Sequence, residues 1–100
     1  MDSNSLLLAI DQGTTTSRAI AFDACGGIVA STQSELPQIY PKDGWVEHDP
    51  DEIWRTTFDV SKRTFEEAES KGGRVVAIGI ANQRETTVLW NRRTGTPIHN

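Results

Sequence analysis

The stretch Val75–Ala81 constrains the fold of this 100-residue chain more than any other feature. It is apolar or glycine at every position, so both alternating faces of a strand built from it have to be covered. Such strands are typical of parallel sheets, and a parallel partner requires a crossover connection of about a dozen residues or more. The segment between Asp49 and Lys71 can supply that crossover as a helix. We therefore expect an α/β fold in which a right-handed crossover leads into a central parallel strand.

The crossover segment carries the start and stop signals of a helix. Asp49 suits the N-cap, Pro50 suits the first helical position, and Glu52 completes the pattern of a capping box. Lys71-Gly72-Gly73 marks the end of the helix. Apolar and small side chains recur at spacings of three and four, which predicts one face that packs on the core. That face, with its aromatic stripe, consists of Ile53, Trp54, Phe58, Ser61, Phe65 and Ala68.

The N-terminal part of the chain reads as three short strands. They are Leu6–Asp11, Ser17–Asp23 and Ile28–Glu35. The connections between them are short, which predicts antiparallel pairing. A further strand, Thr86–Trp90, is expected to turn back over residues 91–96. The predicted order is therefore three antiparallel strands, a helix, a parallel strand and a further hairpin.

The connection between the first two strands is rich in groups that bind phosphate. Asp11-Gln12-Gly13 is followed by four consecutive hydroxyl residues, Thr14–Ser17, and then by Arg18. Glycine lets a ligand come close, hydroxyls and turn amides can donate to phosphate oxygens, and a guanidinium adds a positive fork. Asp11 offers a hard oxygen for Mg²⁺, directly or through water. The same pattern also fits an ordinary hairpin with a polar turn, because Thr favours strands and Gly and Asp favour turns.

A second polar cluster, Asn82-Gln83-Arg84-Glu85, follows the apolar strand. Ligands of open α/β sheets bind outside the carboxyl ends of central strands, so both clusters are candidates for one site. The alternative for Arg84 and Glu85 is a solvated surface pair, the usual state of charged residues. His48 and His99 lack metal-ligand spacing and receive no role.

Composition excludes several classes of function. The net charge is −4 and no basic cluster exceeds Arg92-Arg93, which disfavours nucleic-acid binding. The apolar runs are too short to span a bilayer, and the N-terminus lacks the basic residues of a signal peptide. The single cysteine, Cys25, cannot form an internal disulfide, which fits a reducing cytosol. We therefore expect a cytoplasmic protein with no membrane span.

The motifs resemble those of carbohydrate kinases, which have the actin-like, ribonuclease-H-like ATPase fold. Asp11–Arg18 resembles the first phosphate-binding segment of that family. Gln38–Pro50 and Asn82–Thr87 are similar to the branch of the family that phosphorylates glycerol. The resemblance runs from Leu6 to Asn100, and chains of this family are several times longer. It implies that residues 1–100 form the N-terminal part of the first, glycerol-binding kinase domain, with an incomplete mixed sheet, and that the rest of that domain and the second domain lie outside this chain.

The resemblance also implies a reaction and a role for each candidate residue. The full-length protein would use ATP to phosphorylate glycerol to glycerol 3-phosphate. Asp11 would help to hold Mg²⁺, and Arg84 and Glu85 would bind glycerol hydroxyls. The ATP phosphates would be bound by Thr14, Thr15, Thr16 and Arg18. The catalytic base of the family lies beyond Asn100, so we expect the isolated chain to be inactive.

Two other functions remain open at this point. One is a kinase for another polyol or sugar, and the other is a non-catalytic nucleotide-binding module of the same fold. The adjacent Arg84 and Glu85 argue against the module, because a nucleotide switch needs no group that grips a polyol. A homo-oligomer is expected for the full-length protein, with ATP and glycerol as its small-molecule partners.

Overall fold

Four strands form a mixed sheet in the order β3-β2-β1-β4, and one helix packs on one of its faces. The computed structural model describes residues 2–100. Strand β1 pairs with β2 antiparallel and with β4 parallel, and β2 pairs with β3 antiparallel. The three antiparallel strands, the helix and the parallel strand predicted from the sequence are therefore confirmed. The elements are β1 Ser5–Gln12, β2 Thr16–Phe22, β3 Ile28–Glu35, α1 Pro50–Ser70 and β4 Arg74–Asn82.

Small side chains on β2 allow the helix to lie close to the sheet. Ala19 and Ala21 are completely buried. Thr64 donates from its hydroxyl to the carbonyl oxygen of Ala19 at 3.3 Å, and the hydroxyl oxygens of Ser17 and Thr56 lie 2.9 Å apart. These bonds satisfy polar groups that would be costly to bury alone. The buried side chains of the helix are Thr56, Val60, Thr64 and Ala68.

The prediction that the aromatic stripe of α1 faces the core is wrong for this chain. The helix lies mainly over β2 and β3, so the stripe flanks the sheet and Trp54 is 67% exposed. Phe58 and Phe65 line an open groove whose opposite wall includes Ile78 of β4. The physical reason is that the buried residues of α1 recur every four positions and face Ala19 and Ala21 of β2. This orientation turns the large aromatic rings to one side of the sheet.

Strand β4 lies at the edge of the sheet and is exposed along most of its length. The sequence predicted a central strand covered on both faces. Within residues 2–100, β4 pairs only with β1, and Ile80 is 72% exposed. Residues 2–100 therefore leave most of the apolar side chains of β4 exposed.

The ends of the helix follow the predicted signals with one difference. A carboxylate oxygen of Asp49 accepts a hydrogen bond from the N–H of Asp51 at 2.9 Å, which confirms the N-cap. Glu52 does not complete a capping box, because its carboxylate binds Arg55 at 2.6 Å instead. After Ser70 the chain turns through Gly72, whose φ of 93° favours glycine.

The predicted strand Thr86–Trp90 is absent from the described residues. An isolated bridge joins Trp90 to Pro97, the N–H of Ile98 donates to the carbonyl oxygen of Leu89 at 2.9 Å, and the N–H of Asn91 donates to the carbonyl oxygen of Thr96 at 2.8 Å within the predicted turn. Proline has no N–H for a ladder, and an isolated pair of strands is marginal in water. Within residues 2–100 no helix combines the length and apolar character needed to cross a membrane.

Candidate functional site

The two polar clusters lie side by side because β1 and β4 run parallel. Gln12, at the end of β1, pairs with Asn82, at the end of β4. The N–H of Gln83 then donates to the carbonyl oxygen of Gln12 at 2.8 Å. The parallel pairing therefore brings the turn after β1 against the segment after β4, as the sequence predicted.

The turn after β1 is tight, and it leaves no room for a side chain at Gly13. Its N–H donates to the carbonyl oxygen of Thr16 at 2.9 Å. A Cβ atom added to Gly13 would lie 2.9 Å from that same oxygen. Gly13 does not use the unusual backbone angles open to glycine, because it is not among the glycines with positive φ. The close approach of backbone atoms within the turn is the reason for this glycine. The N–H of Leu36 donates to the carbonyl oxygen of Thr15 at 2.8 Å, which ties the turn to the end of β3.

The turn directs backbone donors outward. The carbonyl oxygen of Gly13 accepts from the side-chain amides of Gln12 at 2.7 Å and Gln83 at 3.3 Å. In a trans peptide the following N–H points the opposite way, so the N–H of Thr14 faces away from both glutamines. Across residues 2–100, neither the N–H of Thr14 nor that of Thr15 has an acceptor. Two amide donors and the exposed hydroxyl of Thr15 are thus free at this turn to bind an anion.

Thr14 joins the two clusters directly. Its hydroxyl donates to Oε1 of Glu85, a residue that is distant in sequence. The other carboxylate oxygen of Glu85, Oε2, accepts from the N–H of Arg84 at 3.0 Å. The Thr14 hydroxyl is the main cause that lowers the pKa of Glu85 below its usual value, and the N–H groups of Glu85 and Arg84 add to it. Glu85 is therefore held as a carboxylate at the place where the turn and the segment meet.

Asp11 and Arg18 lie opposite each other on the face of the sheet away from α1. They are direct cross-strand partners in β1 and β2, so both belong to strands rather than to the turn itself. Arg18 donates through Nε and Nη2 to Oε1 of Gln33 at 3.0 and 2.5 Å. Asp11 is exposed and makes no side-chain hydrogen bond or ion pair within residues 2–100. Thr16 also belongs to β2 and is half-buried, so only Thr14 and Thr15 of the predicted phosphate ligands lie in the turn.

The single carboxylate of Asp11 suits one particular kind of cation. In the described part of the chain, no group of three His, Cys, Asp or Glu side chains could hold a metal by itself. A single free carboxylate fits Mg²⁺, which keeps several waters and is usually held by one or two carboxylates together with substrate phosphates. The free carboxylate of Asp11 thus has the chemistry of a ligand for a metal that arrives with a nucleotide.

Sequence reasoning missed a buried histidine behind the site. His48 is 5% exposed, and its Nδ1 lies 3.3 Å from the hydroxyl oxygen of Thr86. It lines a cavity of about 410 Å³ together with Thr14, Gln38, Glu85 and others. The only signal in the sequence is its place directly before the N-cap Asp49, since the residue at that position often packs back on the helix start.

The family of the chain follows from comparison with known proteins. The model for the N-terminal domain of the FGGY family of carbohydrate kinases matches residues 6–100, so the chain belongs to this family. A curated glycerol kinase from Rhodospirillum centenum is 62% identical over 100 residues, which is the whole of this chain and 20% of that protein. The chain therefore spans about a fifth of the length of the curated relatives it matches.

Solved structures agree with the mixed sheet. The structure of Plasmodium falciparum glycerol kinase with ADP superposes with a TM-score of 0.87 and 36% identity, over 96% of this chain and 19% of that one. A xylulose kinase from Rhodospirillum rubrum gives a TM-score of 0.85 over 94% of this chain and 19% of its own, at 24% identity. The second likeness shows the fold alone. The fold is thus the actin-like ATPase fold predicted from the sequence.

Proposed function

We propose that the full-length protein transfers a phosphoryl group from ATP to glycerol, giving glycerol 3-phosphate. The observation that carries this proposal is the bond between Thr14 and Glu85, which joins a turn suited to phosphates to a segment suited to a polyol. The 62% identity to a protein named glycerol kinase supports glycerol as the acceptor. Residues 1–100 would be the N-terminal part of the first, glycerol-binding domain.

The phosphate side of the site would be formed by the turn after β1. Phosphoryl transfer depends mostly on positioning and on charge stabilisation. The N–H groups of Thr14 and Thr15 and the hydroxyl of Thr15 would donate to phosphate oxygens, with Thr16 beside them, while the hydroxyl of Thr14 stays on Glu85. Arg18 would add positive charge after leaving Gln33, its present partner. Asp11 would hold Mg²⁺, which neutralises phosphate charge when bound.

The acceptor side would be formed by Arg84 and Glu85. Glycerol is small and uncharged, so its hydroxyls are the only polar groups that a protein can bind. The guanidinium of Arg84 is exposed and can donate to two hydroxyls, and the ionised Glu85 can accept from two. Both residues lie past the end of β4, where the chain bends, so they are not forced onto opposite faces as neighbours in a strand would be. A cytoplasmic location and a homo-oligomeric full-length protein belong to the same proposal.

The test is a comparison of acceptors with the full-length protein. Purified enzyme is given ATP and Mg²⁺ with glycerol, xylulose or ribulose, and ADP release is followed together with the phosphorylated product. We expect the highest kcat/KM with glycerol. A preference for either sugar would replace glycerol by that sugar, and ATP binding without transfer to any acceptor would favour a nucleotide-binding module.

A further inference from the structure

His48 begins a chain of hydrogen bonds that ends at the turn after β1. Its Nδ1 lies 3.3 Å from the hydroxyl oxygen of Thr86. The hydroxyl of Thr86 donates to Oε1 of Gln83 at 2.6 Å. The side-chain amide of Gln83 donates in turn to the carbonyl oxygen of Gly13 at 3.3 Å. The loop before α1 is therefore connected to both polar clusters by side chains that the proposed chemistry does not use.

The carbonyl oxygen at the end of this series of hydrogen bonds fixes which atom donates and which accepts in each of them. A carbonyl oxygen only accepts, so the NH₂ group of Gln83 must face Gly13 and its Oε1 must face Thr86. Thr86 has one hydroxyl proton, which is used toward Gln83. The oxygen of Thr86 therefore accepts from His48, which assigns the proton of the imidazole to Nδ1.

His48 is anchored from both sides of its own backbone. Glu47 exchanges two backbone hydrogen bonds with Ile39, each of 2.8 Å. Asp49, on the other side, caps the helix. The backbone on both sides of His48 is therefore held and its side chain is buried, which limits movement of the ring away from Thr86.

We infer that His48 is a positioning residue for the phosphate turn and for Glu85. Acting through Thr86 and Gln83, it adds a second hold on the carbonyl of Gly13 beside that of Gln12, and the direction of this carbonyl sets that of the next N–H, which belongs to Thr14. Thr14 is also the residue that binds Glu85. One buried ring thus aligns the donor offered to phosphate with the carboxylate offered to the polyol. The inference rests on the proposed function.

Matched variants of the full-length protein test this role. In His48→Asn the side-chain NH₂ lies near the position of Nδ1, whereas in His48→Gln it lies about one bond farther out. Thr86→Ser keeps the relaying hydroxyl, and Thr86→Val removes it with little change in volume. We expect the Asn and Ser variants to stay within about threefold of the parent kcat, and the Gln and Val variants to lose about tenfold.

A double variant separates positioning from general damage to the fold. If His48 acts through Thr86, the variant with both His48→Gln and Thr86→Val loses no more kcat than the worse single variant. Equal losses in all four single variants, or loss of thermal stability with unchanged kcat per folded molecule, would overturn the inference.

The inference and the proposed function fail in different ways. A parent protein that does not phosphorylate glycerol overturns the proposed function alone. ATP affinity, measured by calorimetry on the same variants, then decides the role of His48. Weaker ATP binding by His48→Gln and Thr86→Val than by their conservative counterparts supports it, and equal binding overturns it.

Discussion

Substitution of Gly13 by alanine tests whether the shape of the turn matters for phosphoryl transfer. The new Cβ would lie 2.9 Å from the carbonyl oxygen of Thr16. Carbon and oxygen atoms in close contact are ordinarily about 3.3 Å apart or more. The obstacle is backbone, so the turn itself has to open by roughly half an ångström. Thr14 moves with it, because it is the next residue in the chain.

The displacement converts into an expected loss of activity. A misplacement of about 1 Å at an active site can cost about 100-fold in rate. Half of that distance corresponds to about tenfold in kcat, or about 1.4 kcal/mol of transition-state stabilisation. We expect Gly13→Ala in the full-length protein to show this loss in steady-state assays of ADP release, together with a higher KM for ATP.

Gly73→Ala is the matched control at the opposite end of β1. Its Cβ would collide with the side chain of Leu6, which belongs to the core, so the variant is expected to melt at a lower temperature. The turn is untouched, so kcat per folded molecule should equal that of the parent. If Gly13→Ala kept both kcat and the KM for ATP within twofold of the parent, the tight turn would have no part in catalysis and the reasoning would be refuted.

Three further predictions concern the metal, the acceptor and the isolated chain. Asp11→Asn should lower the rate sharply and raise the Mg²⁺ concentration needed for half-maximal rate, because a neutral amide holds the ion less well; an unchanged Mg²⁺ titration would remove Asp11 from the site. Arg84→Ala should reduce kcat/KM for glycerol about tenfold or more with little change in the KM for ATP, because glycerol hydroxyls lose their donor; the opposite pattern would assign Arg84 to the nucleotide. Residues 1–100 alone should show no glycerol-dependent ATP turnover and should self-associate in sedimentation experiments, since Ile80 and Trp54 are exposed; turnover by a monodisperse monomer would contradict both statements.

The four strands of the sheet, the helix and the meeting of the two clusters were predictable because they depend on local pattern and chain direction, whereas the predicted strand Thr86–Trp90 is not formed. Short connections dictated antiparallel pairing, and a helix between two strands dictated a parallel one. The orientation of α1 was not predictable from its apolar stripe. It depends on how closely Ala19 and Ala21 of β2 let the helix approach, which is a property of the sheet rather than of the helix. The exposure of β4 was not predictable either, because its sequence has the pattern of a strand covered on both faces, whereas within residues 2–100 it pairs only with β1.

The candidate site was predictable as a set of residue types but not as a set of contacts. Hydroxyls after a strand indicated phosphate chemistry, whereas the bond from Thr14 to Glu85 depends on the register between β1 and β4. The engagement of Arg18 with Gln33 likewise depends on β3, which pairs with β2 from the other side. His48 gave almost no signal, since its role requires a tertiary chain of hydrogen bonds.

The most direct test of the account is whether the phosphate turn and the polyol segment act as one site. The measurement is a double-mutant cycle in kcat/KM for glycerol, made in the full-length protein with Thr14→Val, Glu85→Gln and the double variant. Valine removes the hydroxyl that binds the carboxylate, and glutamine removes the charge while keeping the shape. We predict that each single variant loses activity and that the double variant loses clearly less than the product of the two single losses. Losses that simply multiply would mean that the two residues act independently, and the joined site would be contradicted.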